Sequence, residues 1–323
     1  MPKILHTSRY TGLPLQILKD ATPEGFSVET LTTPSKDALI NQVKDADYLL
    51  VSGRLPIDEE VLRNTPNLKM IQRTGVGTEM LDLEAIKRHN IPVYVNKGIN
   101  ARSVAEHTLT LIFSSLKNIP FISKNVKQGV WKKQETGLST HELYDKVVGL
   151  VGMGAIGQLV ARYLKCFGAR IMYTDIKPLS KEIEKELEAV YIPSFEKMLP
   201  FIDILSFHCP HTPENEKMLN RETLALMKNG VIIINTARGK LIDENALYDG
   251  LISGKVKCAG LDVHYEEPLK KDSPLLKLDN VILTPHIAGL SNETFKQMLK
   301  DSVDNIVKYH NGEYKLIENK KLI

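Results

Sequence analysis

The stretch VVGLVGMGAIG, Val147 to Gly157, decides how the rest of the chain is read. Its first five residues are an unbroken apolar run, the pattern of a strand buried on both faces. Glycines at 152, 154 and 157 follow at once, and a helical pattern runs from Ile156 to Phe167. Strand, G-x-G-x-x-G turn and helix in that order make a phosphate-binding unit. The glycines permit a tight turn, close approach of backbone to a pyrophosphate, and close helix–strand packing, and the pyrophosphate rests on the helix N-terminus. The next strand, Arg170–Thr174, ends in Asp175, whose carboxylate can accept from both ribose hydroxyls and repels a 2′-phosphate. Gly152, Gly154, Gly157 and Asp175 therefore predict NAD in preference to NADP, although Lys177 stands two residues beyond the acid.

Such a turn usually opens a domain, yet this one lies almost halfway along 323 residues. That length exceeds what one core usually fills, so two domains are expected. Upstream, five strands read near Ile4–Leu5, Ser27–Leu31, Tyr48–Ser52, Met70–Arg73 and Pro92–Val95, separated by helical stretches such as 35–44 and 82–89. None is followed by a glycine-rich phosphate turn, so this part reads as a doubly wound unit without its own nucleotide. A capping-box pattern, Ser103 to Glu106, then opens an apolar stretch through Leu116, expected as a helix buried on several faces. A polar, lysine-containing segment continues to about Tyr144. Beyond the quoted motif, strands recur near 189–192, 203–207, 231–235, 258–261 and 281–283, and an amphipathic helix near 292–309 stops at Asn311-Gly312. The fold class is α/β, with two doubly wound parallel sheets.

Composition narrows the function classes. The net charge of +3 arises from scattered lysines and acids, and the dense run 181–188 alternates in sign, as on a solvated helix. That excludes a nucleic-acid patch. Three cysteines, Cys166, Cys209 and Cys258, lack metal or disulfide spacing and point to a reducing compartment, with no metal site. No apolar run is long enough for an export signal or a membrane span, so a cytoplasmic protein is expected.

The chemistry lies at strand ends. Val231–Asn235 is a buried-type strand, and Arg238 follows at its carboxyl end, where an open α/β sheet faces its ligand. A guanidinium there offers a planar fork to a carboxylate or a polarised carbonyl. Asp262 closes another strand, Glu266 and Glu267 follow in a loop, and Thr284-Pro285-His286 follows the strand 281–283. A glutamate beside a histidine favours the imidazolium and keeps an acid available.

Together these segments carry a resemblance. Arg73–Thr78, Ser103–His107, the glycines at 152–157, His208–Pro213, Asn235–Gly239, Gly260–Val263, Glu266–Pro268 and Thr284–His286, in this order, resemble the D-isomer-specific 2-hydroxyacid dehydrogenases over nearly the full length. The resemblance implies a hydride transfer between nicotinamide and C2 of a small D-2-hydroxy or 2-oxo acid, with Arg238, Glu267 and His286 as the catalytic residues. It implies further cofactor contacts from Thr78, Ala155, Ile156, Cys209, Pro210, Thr236 and Asp262. It also answers why the cofactor turn sits so late: residues 1–99 and 291–323 would form a flavodoxin-like substrate domain, with the NAD-binding domain, 100–290, inserted between them. In that arrangement Ser52, Gly53, Gly75, Val76 and Gly77 turn backbone N–H groups towards the substrate carboxylate, and Arg54 and Arg73, in or beside those turns, either pair with a substrate phosphate or are solvated. Glycine suits turns that backbone must share with a ligand.

The resemblance implies a homodimer, and the apolar helix from Val104 is expected to supply its contact. Hydroxypyruvate, glyoxylate and 3-phosphoglycerate are the acids favoured. Glu267 argues against formate, since the formate branch carries an amide there. Two departures stand out: Asn96–Asn100 is shorter than the family's Asn-x-Pro-Gly-x-Asn segment, and only 37 residues (323 − 286) follow His286, too few for a serine-binding regulatory domain. A relative of another class, the NAD-sensing corepressor, shares the fold and is the rival reading; turnover of NADH separates the two.

Overall fold

The computed structural model describes residues 1–53 and 55–323. The chain divides into two compact units, Met1–Asn100 with Ser291–Ile323 (unit 1) and Ala101–Leu290 (unit 2).

Unit 1 holds five parallel strands, β1 (Lys3–His6), β2 (Ser27–Thr30), β3 (Tyr48–Val51), β4 (Met70–Arg73) and β5 (Val93–Val95), in the order β2-β1-β3-β4-β5. Side chains alternate between the two faces, as a period of two requires. Leu5, Leu49, Val51, Ile71 and Val93 join one buried cluster, while Ile4, Tyr48, Leu50, Met70 and Tyr94 join the other. The helix Asn292–His310 covers the second face with Leu299, Val303 and Ile306. Ser291 caps it by accepting from the Thr294 N–H at 3.0 Å. Polar groups lock it as well: the Asn96 amide donates to Met298 O at 3.2 Å and Ser302 Oγ at 2.8 Å, and the Asn305 amide donates to Asn96 Oδ1 at 3.0 Å. A buried amide left unpaired would cost about 1–3 kcal/mol, so these partners fix the helix register. The last residues pair with β5, Leu322 N donating to Val93 O at 2.8 Å.

Unit 2 holds seven parallel strands, β6 (Val147–Val151), β7 (Arg170–Thr174), β8 (Ala189–Tyr191), β9 (Ile204–Phe207), β10 (Val231–Asn235), β11 (Val256–Leu261) and β12 (Val281–Leu283). Their order is β12-β11-β10-β9-β6-β7-β8, so the winding reverses between β6 and β9. A crevice outside the carboxyl ends of the strands at such a reversal is where doubly wound sheets bind ligands.

Four expectations are corrected here. The helix over the apolar stretch runs Ala101–Leu116, so Ser103 lies inside its first turn and caps nothing. Buried Ala101, Val104, Ala105, Thr108, Leu111 and Ile112 form one stripe at helical spacing, and burying Ala101 carries the helix past the cap signal. That stripe also leaves Arg102, Glu106 and Thr110 outside, so the helix is apolar on one face rather than several. Large exposed apolar side chains also lie in the segment read as polar: Trp131 is 81% exposed, and Leu138, the last residue of the short helix Lys133–Leu138, is 86% exposed. The helix Lys181–Leu187 is not wholly solvated either, because Glu184 turns inward to accept from the Tyr173 hydroxyl at 2.8 Å.

Candidate active site

At the β6 end, two of the three glycines of the turn have a steric reason. Gly152 has φ +95°, and a Cβ there would lie 2.7 Å from Cys209 N. A Cβ on Gly157 would lie 2.2 Å from Gly152 O. Gly154 differs, because a Cβ there meets nothing within 4 Å. It precedes the helix Ala155–Cys166, which carries no side-chain cap and no acid in its first turn. The first N–H groups of that helix, at Ala155, Ile156 and Gly157, thus border an open cradle suited to a phosphate anion. The residues present fit a dinucleotide. Asp175 is fixed beside the turn, Oδ2 accepting from Met153 N at 2.6 Å and Oδ1 from Lys177 N at 3.2 Å. Ile176, 98% exposed next to it, offers apolar surface that the sequence reading passed over.

The opposite wall comes from β9 and β10. His208 and Cys209 pack on Gly152, and burial pushes the Cys209 thiol up to about 11, so it stands as a neutral thiol. Pro210 is exposed beyond it. Thr236 is buried, its hydroxyl 2.9 Å from that of Thr108, so only its backbone can face a ligand.

Arg238 sits at the end of β10 on a turn built by Asn235. The Asn235 amide donates to Arg238 O at 2.8 Å, and its carbonyl accepts from Ala237 N at 3.0 Å. Behind the turn, a Cβ on Gly239 would lie 1.9 Å from His264 O, so the turn and the loop carrying Glu267 are in direct backbone contact. Glu267 Oε1 accepts from His264 N at 3.0 Å, and Oε2 lies 2.8 Å from His286 Nδ1. A carboxylate only accepts, so Nδ1 carries the hydrogen and Nε2 is the exchangeable nitrogen. The His286 side chain is 45% exposed and that of Glu267 17%, so the acid is sheltered and the ring is presented.

His286 has φ +59°, a left-handed conformation that costs a non-glycine residue on the order of 1–2 kcal/mol. Asp262 explains how it persists. Its carboxylate, 1% exposed, accepts from Thr284 Oγ1 at 2.6 Å, Ile287 N at 2.9 Å and Ala288 N at 2.8 Å, while its carbonyl accepts from His286 N at 2.8 Å. The acid predicted as a cofactor contact is thus the brace of the histidine turn.

In unit 1 the sheet order reverses at β1 and β3, and Ser52 and Gly53 stand at the β3 end. His6 Nε2 lies 2.8 Å from Ser52 Oγ and its Nδ1 3.1 Å from Ser8 O. Burial lowers this imidazole to about 4, so it stands neutral. Gly75, Val76, Gly77 and Thr78 lie in the loop after β4, with Val76 48% exposed. Arg73 closes that loop, Nε donating to Gly77 O at 2.7 Å and Nη1 to Val51 O at 3.1 Å. Its guanidinium is engaged in shaping both turns, which was not legible from its position in sequence. Arg54 lies outside the described residues. Sequence reasoning also missed Asn235 and His6; a polar residue closing an apolar strand was the available signal for each.

Residues 109–288 match the family described as D-isomer specific 2-hydroxyacid dehydrogenase, NAD binding domain. The chain is 37% identical to a glyoxylate reductase of Korarchaeum cryptofilum over 87% of its own length and 84% of that protein's. It is also 37% identical to a D-3-phosphoglycerate dehydrogenase of Methanocaldococcus jannaschii, covering 99% of this chain but 59% of the other. A solved D-lactate dehydrogenase from Aquifex aeolicus, complexed with NAD and lactic acid, superposes with a TM-score of 0.85 at 31% identity, covering 99% of this chain and 98% of that one. This chain belongs to the D-isomer-specific 2-hydroxyacid dehydrogenase family, a family of NAD-dependent oxidoreductases, and unit 2 contains its NAD-binding domain.

Proposed function

We propose that the protein transfers a hydride between NAD and C2 of a small D-2-hydroxy or 2-oxo acid of the hydroxypyruvate, glyoxylate or 3-phosphoglycerate class. The observation that carries this reading is the Glu267–His286 pair at 2.8 Å, with Nε2 outward on a braced turn. In the reducing direction the cofactor supplies the hydride to C2. His286 gives its Nε2 proton to the carbonyl oxygen as that oxygen becomes a hydroxyl, and Glu267 holds the ring and stabilises its cationic form. Arg238 binds the carboxylate and polarises the carbonyl. Ser52, Gly53, Gly75, Val76 and Gly77 are the substrate contacts proposed from unit 1. A panel of 2-oxo acids with NADH, followed by absorbance, tests the reading: turnover of none of them would end it.

Asp175 carries a preference for NAD, because its fixed carboxylate would face a 2′-phosphate. In Asp175→Ala the preference should relax while NAD binds less tightly; equal catalytic efficiency with both cofactors in the parent would contradict it. A homodimer is proposed on the exposed Trp131, Leu138 and Ile119, apolar surface on a scale that association would cover. Light scattering should give twice the 36.3 kDa of one chain. The three cysteines are free thiols, which supports the cytoplasm as the compartment, and no helix among the described residues is long and apolar enough to cross a membrane.

A further inference from the structure

At the amino edge of the seven-stranded sheet, opposite the edge carrying Gly152 and Arg238, lies a cavity of about 180 Å³. Lys146, Asp203, Gly230 and Lys257, at or next to the starts of β6, β9, β10 and β11, line it together with Lys228 and His141. Three lysines stand against one carboxylate. That carboxylate is already occupied, Asp203 Oδ1 accepting from Lys228 Nζ at 2.8 Å and Oδ2 from Val147 N at 2.8 Å. Among the described residues neither Lys146 nor Lys257 has an ion-pair partner. Lys257 Nζ donates to Ser139 O at 2.9 Å and abuts His141 Nε2, a cation set against a group that would itself be cationic when protonated.

The crowding shows in the basicity of both groups. Burial first, then the positive charges of Lys257, Lys146 and Lys117, hold the His141 imidazole below its ordinary range. Burial and Lys146 likewise lower Lys257. Three lysines gathered around a hollow with a single carboxylate repel one another more than Asp203 offsets, and an anion placed among them turns that repulsion into attraction.

We propose that this cavity is a binding site for a phosphate-type oxyanion, either free phosphate or the head of a phosphomonoester, held by Lys146, Lys257 and His141 with Lys228 at the rim. The charge matches, since three lysines less one carboxylate leave +2 for a dianion. Size argues the same way, because pockets for drug-sized ligands start at roughly 300 Å³ and this one suits a single tetrahedral group. The bound anion favours the protonated form of His141. The groups facing that ring are Lys257, Lys146 and Lys117.

The test uses the NADH-saturated protein, so that the cofactor turn does not take up the probe. Inorganic phosphate and methyl phosphate are added separately, each against sodium chloride of equal ionic strength. At tenfold excess over its dissociation constant a bound anion should raise the melting temperature by about 2–4 °C. That rise should vanish in the double variant Lys146→Gln, Lys257→Gln, which keeps its NADH turnover. A rise with methyl phosphate as well as phosphate identifies the phosphoryl head as what is recognised; a rise with phosphate alone identifies the free ion. No rise in the parent, or an equal rise in the variant, overturns the site. Calorimetric titration of inorganic phosphate into Lys146→Gln is the second measure: affinity should drop about tenfold, and unchanged affinity also overturns it.

Discussion

Nε2 of His286 faces outward only because Glu267 occupies Nδ1, and the two residues should therefore fail differently. His286→Ala removes the proton donor, so kcat should fall by roughly 10²–10⁴ with NADH binding nearly intact. Near-normal turnover would mean that the proton comes from another group. Glu267→Gln keeps the size of the side chain but removes the charge that favours the imidazolium. Its kcat should fall while KM and NADH binding stay near the parent's, and a parent-like kcat would show that the pairing has been misread. Arg238→Ala should raise KM and lower kcat together. In sequence, the places of the three beyond strand ends and within motifs the family shares were legible, and their roles came from the resemblance. Their supports were not legible: Asn235, Gly239 and Asp262 act through backbone contacts that only folding brings together.

Between neighbouring elements, the glycine turn makes a sharper experiment than the motif alone allows. Gly157→Ala would place a methyl 2.2 Å from Gly152 O, forcing strand and helix apart, and should destabilise the protein by several kcal/mol. Gly154→Ala meets no atom within 4 Å, so its melting temperature should stay near the parent's while NADH affinity falls. If both variants lost stability alike, the cradle at Gly154 would not be open. Strand positions could be read from apolar runs, since both faces of each sheet are buried and the signal is strong. One helix start could not. Ser103 carried a good cap signal, but the stripe through Ala101 packed instead, and burial outweighs about 1 kcal/mol of capping. Nor could sequence assemble the basic cavity, whose Lys257 and His141 are 116 positions apart.

Over the whole molecule, acid should act first through buried imidazoles. His6 is fully buried, and its value falls from 6.5 to about 4 on folding. A depressed value contributes stability that is present above pH 6.5 and is lost as pH falls towards 4, because the unfolded chain then binds a proton the folded one refuses. The loss amounts to on the order of 3 kcal/mol. Ion-paired carboxylates such as Asp203, held low despite burial by Lys228, begin to contribute to the loss only at more acid pH. Urea midpoints should thus decline between pH 6.5 and 5 in the parent and decline less in His6→Gln. A flat parent curve over that interval would contradict the burial of a neutral ring.

The helix Asn292–His310 closes a sheet whose strands all lie before residue 96, and this has a consequence for the newborn chain. On the ribosome, the first five strands emerge with Ile4, Tyr48, Leu50 and Met70 only partly covered, by Leu18 of the helix Gly12–Ala21, because Leu299, Val303 and Ile306 have not been made. At ~5–20 residues per second, the roughly 190 residues of unit 2 take about 10–40 s to pass. Unit 2 is contiguous and can complete its own core in that interval. The part of the chain made first is therefore finished last, and until then its half-covered sheet face is the natural client of whatever guards nascent chains.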